Sequence, residues 1–135
     1  MNKENDVNLA KFRLEQAHEC LRVAEINMEI SLMNSVNRSY YCVFHAMRAV
    51  LALDRFDSKK HSGVISEFRK RYIKTGKLPK HLSAIIKETF QIRGDSDYED
   101  FYVVAESEAR QQYKSAKEFL EVVEEYVLRL LETKP

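Results

Sequence analysis

A chain of 135 residues with 44% hydrophobic and 32% charged side chains has the makeup of one soluble globular domain, residues 1–135, with one compact core. No run of about 18 apolar residues and no charged leader before an apolar stretch stands at its amino end, which argues against a membrane span and for a cytoplasmic protein. The net charge of +1 argues, taken as a sum, against a dedicated nucleic-acid binder.

Only 3 Gly and 2 Pro interrupt a chain rich in Leu, Ala, Glu, Lys and Arg, so the composition predicts an all-α protein. The first helix is predicted from about Asp6 to Leu32, with Ala10, Leu14, Ala17, Leu21, Ala24, Met28 and Leu32 on one stripe. At 1.5 Å per residue it would be about 40 Å long. A second helix follows a short break near Asn34 and ends around Leu53, with Val36, Tyr40, Val43, Phe44, Met47, Val50 and Leu51 on its core face. The stretch "DRFDS" makes a turn, and Ser58 is the expected cap of a third helix that stops before Gly76. Pro79 suits the first turn of a fourth helix ending at "RGDSD". The last helix is predicted from near Tyr98 to about Leu131, burying Phe101, Ala105, Gln112, Ala116, Phe119, Val123, Val127 and Leu130. Long helices at the ends and shorter ones between imply an up-and-down bundle of four to five helices. Cys20 and Cys42 lack Cys-x-x-Cys spacing and read as buried thiols rather than a disulfide or zinc site.

The charge is unevenly spread. Residues 55–80 carry nine Lys or Arg against Asp57 and Glu67, a local balance of +7, whereas residues 95–132 carry eleven acids against four bases. Two solvated helix faces attracting each other would account for this; so would a basic surface awaiting a phosphate backbone or an acidic partner.

In "NRSYYCVFH", residues 37–45, the side chains of Arg38, Tyr41 and His45 fall together, away from the apolar stripe of the second helix. Beside them Ser35, Ser39, Cys42, Ala46 and Ala49 form a strip of small residues, which lets another backbone come close, either a helix of the bundle or a second copy of the protein. A guanidinium fork matches two phosphate oxygens, and an imidazole can exchange a proton near neutral pH. RNA cleavage uses both: a base takes the proton of the ribose 2′-hydroxyl, which attacks the adjacent phosphorus while the growing negative charge is neutralised. His45 would then be the base or acid, Arg38 the phosphate holder and Tyr41 a hydrogen-bond donor, with no metal and no cofactor required. By spacing alone the pair is equally at home on a helix surface that has no site.

The blocks "NRSYYCVFHAMRAVLAL", "KKHSGVISEFRKRYIKTGKL" and "RGDSDYED" resemble, in order and spacing, the small standalone proteins of the HEPN superfamily, from about residue 8 to residue 127. The resemblance implies a helical bundle, a homodimer with a cleft at its two-fold interface, and a link to RNA or nucleotides. Many such proteins are toxins of toxin-antitoxin pairs whose antitoxin is a small nucleotidyltransferase. Catalytic members share an Arg and a His with four to six residues between them; Arg38 and His45, separated by six residues, fit that rule by length, although Ser39 stands where an Asn, Asp or His often follows the arginine, and the pair sits on the second helix rather than on a later one. The functions implied are a metal-independent endoribonuclease or, alternatively, a non-catalytic domain that binds a nucleotide or a nucleotidyltransferase partner.

His61 opens the third helix on the side of Val64, Ile65, Phe68 and Tyr72, where it serves either as a core residue or, near free backbone N–H groups, as part of an anion pocket. Arg93, Asp97 and Tyr98 match the third block of the resemblance. Arg93 is placed to reach a phosphate and Asp97 to orient Arg38 or His45, unless Asp97 merely caps the last helix and pairs with Arg93. His18 and His81 have no companions at useful spacing. There is no His-Glu-x-x-His, no Gly-x-Ser-x-Gly and no Gly-rich loop.

Overall fold

The computed structural model describes residues 3–132. Among them are five helices and no strand: α1 Lys3–Asn27, α2 Leu32–Leu53, α3 His61–Phe68 running on into a π-helical turn Arg69–Ile73, α4 His81–Tyr98 and α5 Glu106–Glu132. The protein is an all-α bundle built around α2, which packs against α1 along its length and also touches α3, α4 and α5. A helix surrounded in this way must be apolar nearly all round. Accordingly Val36, Tyr40, Val43, Phe44, Met47, Val50 and Leu51 are all buried.

The strip of small residues on α2 is filled from within the chain, not by a second copy. Ser35, Ser39, Cys42, Ala46 and Ala49 are fully buried, and so are Ala10, Ala17 and Ala24 on α1. The Ser35 hydroxyl donates to the Ala24 carbonyl (2.7 Å), and the Cys42 thiol faces the Ala116 carbonyl of α5 (3.9 Å). Small side chains on both helices allow close approach, which ties up this face before any partner arrives. Burial pushes both cysteine thiols up from their ordinary pKa, so they stay protonated at neutral pH.

Several boundaries differ from expectation for local reasons. α1 ends at Asn27, whose side-chain amide donates to the Val23 carbonyl (2.9 Å), and Ser31 then caps α2 by accepting the Asn34 N–H (3.2 Å). Met28 and Leu32 therefore leave the α1 stripe and pack with Val36, Val104 and Ala109. Ser58 does not cap α3; its hydroxyl accepts the Lys60 N–H (3.2 Å) inside the preceding turn, and Lys60 precedes the helix. The "RGDSD" stretch is helical, held by the Arg93–Asp97 ion pair one turn apart, so Asp97 lies in the last turn of α4 and cannot cap α5. Phe101, in the left-handed conformation (φ 64°), separates the two helices. α5 begins at Glu106, where the Glu108 carboxylate accepts the Ala105 N–H (3.3 Å) and the Tyr102 hydroxyl (2.7 Å). Phe101 and Ala105, expected inside, are exposed, and Leu130 is half-buried.

Candidate functional site

The central helix sets the site. Asn37, Arg38, Tyr41, Phe44, His45 and Arg48 recur every three or four residues along one side of α2, and the start of α3 and the last turns of α4 come to rest against that side. Tyr41 is the hub. The Arg38 guanidinium carbon lies 5.2 Å from its ring centroid and that of Arg93 5.5 Å, both at cation–π range. Arg93 also donates to the Tyr41 hydroxyl (3.3 Å). The rings of His45 and His61 approach Tyr41 with centroids 6.1 and 5.8 Å away. Four nitrogen-rich side chains from three helices thus surround one tyrosine.

Each is held by neighbours. His61 stacks on Phe44 (4.1 Å between centroids), and its Nδ1 shares a hydrogen bond of 2.7 Å with the hydroxyl of the fully buried Tyr40. Arg38 donates to Asn37 Oδ1 (3.1 Å), and the Asn37 amide reaches Asp97 Oδ2 (3.5 Å). Arg93 Nε stands 3.1 Å from that same oxygen in an ion pair whose geometry is not that of a hydrogen bond. Asp97 therefore touches Arg93 directly, while its connection to Arg38 runs through Asn37. Beneath His45, Arg13 of α1 is buried and lies 3.2 Å from Asp57, which Arg48 also approaches at 3.1 Å. Burial raises the Asp57 pKa, but the Ser58 N–H, Arg48 and Arg13 outweigh it and hold this carboxyl below its usual range.

His45 differs from the other histidines. Its Nδ1 is buried without a hydrogen-bond partner. Burial, followed by the charges of Arg48, Arg38, Arg13 and His61, pushes its pKa down to about 4, so the ring is neutral at physiological pH. Burial and the charges of Arg93 and Arg48 also lower His61. A patch with two guanidiniums and two uncharged imidazoles can bind an anion, and it can exchange protons once that anion offsets the local positive charge.

The structure thus brings Arg38, Tyr41, His45, His61, Arg93 and Asp97 together. Tyr98 is apart from them: it ends α4 with 74% of its surface exposed and touches none of these rings. Tyr40, Phe44, Asn37, Arg13 and Arg48 are additions of the structure. Of these, Arg13 carried a signal in the sequence, an arginine between Ala10 and Leu14 on the apolar stripe of α1. His18 and His81 each face an α5 carboxylate, Glu124 and Glu118, across the bundle.

Fold and geometry define a small helical domain with an arginine–histidine surface on its central helix. The chain belongs to the HEPN family, whose domain model matches residues 10–126. It is similar to a UPF0332 protein of Thermotoga maritima, 31% identical over 113 residues covering 83% of this chain and 86% of the relative. A protein of Methanocaldococcus jannaschii named as a candidate toxin is 31% identical over 121 residues, 85% of this chain and 79% of its own. A second candidate toxin of that organism is 34% identical over 86 residues, 63% and 64% of the two chains.

Proposed function

We propose that this chain acts as one domain on RNA, as the toxin of a toxin-antitoxin pair, and that it cleaves RNA without a metal. The convergence of Arg38, Arg93, His45 and His61 on Tyr41 carries the proposal, and the names of the relatives agree with it. Arg38 and Arg93 would hold the phosphodiester, its charge lifting the proton affinity of His45. Because Nδ1 of His45 is buried, Nε2 is the nitrogen available to take the 2′-hydroxyl proton. The 2′-oxygen then attacks phosphorus, the bond to the 5′-oxygen breaks, and His61 returns a proton to that leaving oxygen, giving a cyclic phosphate and a 5′-hydroxyl. The expected antitoxin is a small nucleotidyltransferase.

One observation favours a second possibility: among the described residues no carboxylate is hydrogen-bonded to His45 Nδ1, and a proton affinity this low suits binding better than base catalysis. In that case the same surface binds a nucleotide or the nucleotidyltransferase partner without catalysis. Incubating purified protein with a mixed RNA pool in excess chelator, beside Arg38→Ala and His45→Ala, separates the two. Catalysis predicts a rate loss of roughly a hundredfold or more in either variant. Equal cutting by all three would remove this surface as the source, and folded protein that cuts nothing would support binding.

A further inference from the structure

His45 and His61 line the same surface but are held differently. His45 Nδ1 is buried without a hydrogen-bond partner, so no neighbour at that atom fixes which of its nitrogens carries the proton. His61 has its Nδ1 2.7 Å from the Tyr40 hydroxyl, and its ring is clamped among aromatic neighbours. Phe44 stacks on it at 4.1 Å between centroids with 23° between the planes, Tyr40 lies nearly parallel at 5.7 Å and 22°, and Tyr41 stands edge-on at 5.8 Å and 89°. A ring packed in this way cannot turn over without giving up the Tyr40 contact.

A bond between a hydroxyl and an imidazole nitrogen can run in either direction, and the surroundings of Tyr40 decide which. Tyr40 is fully buried, and its hydroxyl has no other hydrogen-bond partner among the described residues. Phe44 and Phe90 pack against its ring, and the Arg93 guanidinium carbon lies 5.5 Å from the ring centroid. Aromatic rings and a guanidinium offer no oxygen or nitrogen acceptor. If Nδ1 carried the proton and donated it, the hydroxyl hydrogen would be left buried with nothing to receive it, a costly arrangement. If the hydroxyl donates, both groups are satisfied. Burial raises the Tyr40 pKa further, so the phenol keeps its hydrogen near neutral pH. The proton of the neutral His61 ring then lies on Nε2, which points away from Tyr40 and has no partner among the described residues.

We propose that Tyr40 is a positioning residue that fixes His61 as the Nε2–H tautomer and so makes it a hydrogen-bond donor to an anion at the Tyr41 surface. The two imidazoles thereby differ in kind. His61 presents a proton, whereas His45, with no partner on Nδ1, is free to present a lone pair. A phosphate oxygen accepts from the His61 Nε2–H whether or not a bond is then broken, and in the ribonuclease reading the proton meant for the leaving oxygen already sits on the outward nitrogen. The inference rests on the reading of this surface as an anion site, but the tautomer is measured in ligand-free protein, so a failure to cut RNA leaves it standing. A tyrosine on the core side of α2 thus sets the chemistry of a residue on α3.

Long-range proton–nitrogen correlation NMR of the nitrogen-15-labelled chain at mildly alkaline pH, beside Tyr40→Phe and with His61→Gln to assign the ring, tests it; circular dichroism checks that each variant is folded. In the wild type His61 Nδ1 should resonate as an unprotonated acceptor and Nε2 as a protonated nitrogen, with the Tyr40 hydroxyl proton coupled to Nδ1 across the hydrogen bond. In Tyr40→Phe the two nitrogen signals should draw together as the preference for the Nε2–H form falls roughly fivefold. Inorganic phosphate added to the wild type should move the Nε2 signal and its proton more than Nδ1. The wild-type spectrum decides the tautomer even if Tyr40→Phe does not fold. A proton on Nδ1, the same tautomer ratio in folded Tyr40→Phe, or phosphate that leaves the Nε2 signal unmoved would overturn the proposal.

Discussion

His45→Gln should make the fold less sensitive to acid. In the folded protein burial and the surrounding Arg48, Arg38, Arg13 and His61 push the His45 pKa down to about 4, against 6.5 for a free imidazole. Between those two pH values the unfolded chain binds a proton that the folded chain does not, so stability falls as the pH is lowered through this window and levels off below it. The gap between the two values is worth at most about 3 kcal/mol, and water reaching the half-buried ring screens it to about 2 kcal/mol. Urea unfolding of wild type and His45→Gln at pH 7.5 and pH 4 measures this directly, since the carboxylates are common to both. The wild type should lose about 2 kcal/mol more than the variant over that interval. A proton NMR titration, with the His45 signal assigned by its absence in the variant, supplies the value for the ring itself. Equal losses in the two proteins, or a His45 signal titrating in the ordinary histidine range, would refute the burial and charge argument.

Arg93→Met should lower RNA cleavage by about tenfold or more, since it removes a phosphate holder and frees Asp97 and the Tyr41 hydroxyl; single-turnover rates measure it, with circular dichroism to show an intact helix. Tyr40→Phe keeps the buried ring but loses the hydroxyl paired with His61, so urea unfolding should show a loss of about 1 kcal/mol. Ala46→Leu crowds the fully buried strip of α2 and should cost about 1–3 kcal/mol by thermal unfolding. The oligomeric state of Ala46→Leu should stay that of the wild type, because this strip is covered by the chain's own helices.

Fold class and the core of the long helices were legible because burial repeats with the helical period. Ala10, Leu14, Ala17, Leu21 and Ala24 on α1, and the seven apolar residues on α2, lie where that period puts them. Helix ends were less legible, because the groups that set them are not the usual signals. α5 begins at Glu106 through Glu108 reaching back to Ala105, with no Ser or Thr at the cap, and Phe101 breaks the chain in a conformation that its side chain does not favour. Gly94 invited a break that the Arg93–Asp97 pair and the packing of Ser96 override.

At the site, the spacing of Arg38, Tyr41 and His45 placed them on one side of α2, the position of His61 at a helix start offered an anion pocket, and the third block of the HEPN resemblance pointed to Arg93, Asp97 and Tyr98, of which Tyr98 lies apart. What no spacing conveys is contact between elements distant in the chain. Tyr40 reads as a core aromatic, and its hydroxyl meets His61 only because α3 folds back over α2. In the same way Arg13 comes under His45 through the packing of α1, and the low proton affinity of His45 is the product of that three-dimensional arrangement.

The most direct test of metal-independent cleavage at this surface is the mass of the fragments released from a short RNA by purified protein in chelator, beside the same oligomer carrying a 2′-deoxyribose at the cleaved position. Attack by the ribose 2′-oxygen with His45 as base predicts a fragment ending in a cyclic phosphate from the RNA, no cutting of the deoxy-substituted oligomer, and neither product with His45→Ala. Cleavage of the deoxy-substituted oligomer, fragments ending in a 3′-hydroxyl, or an intact RNA after incubation with folded protein would contradict it.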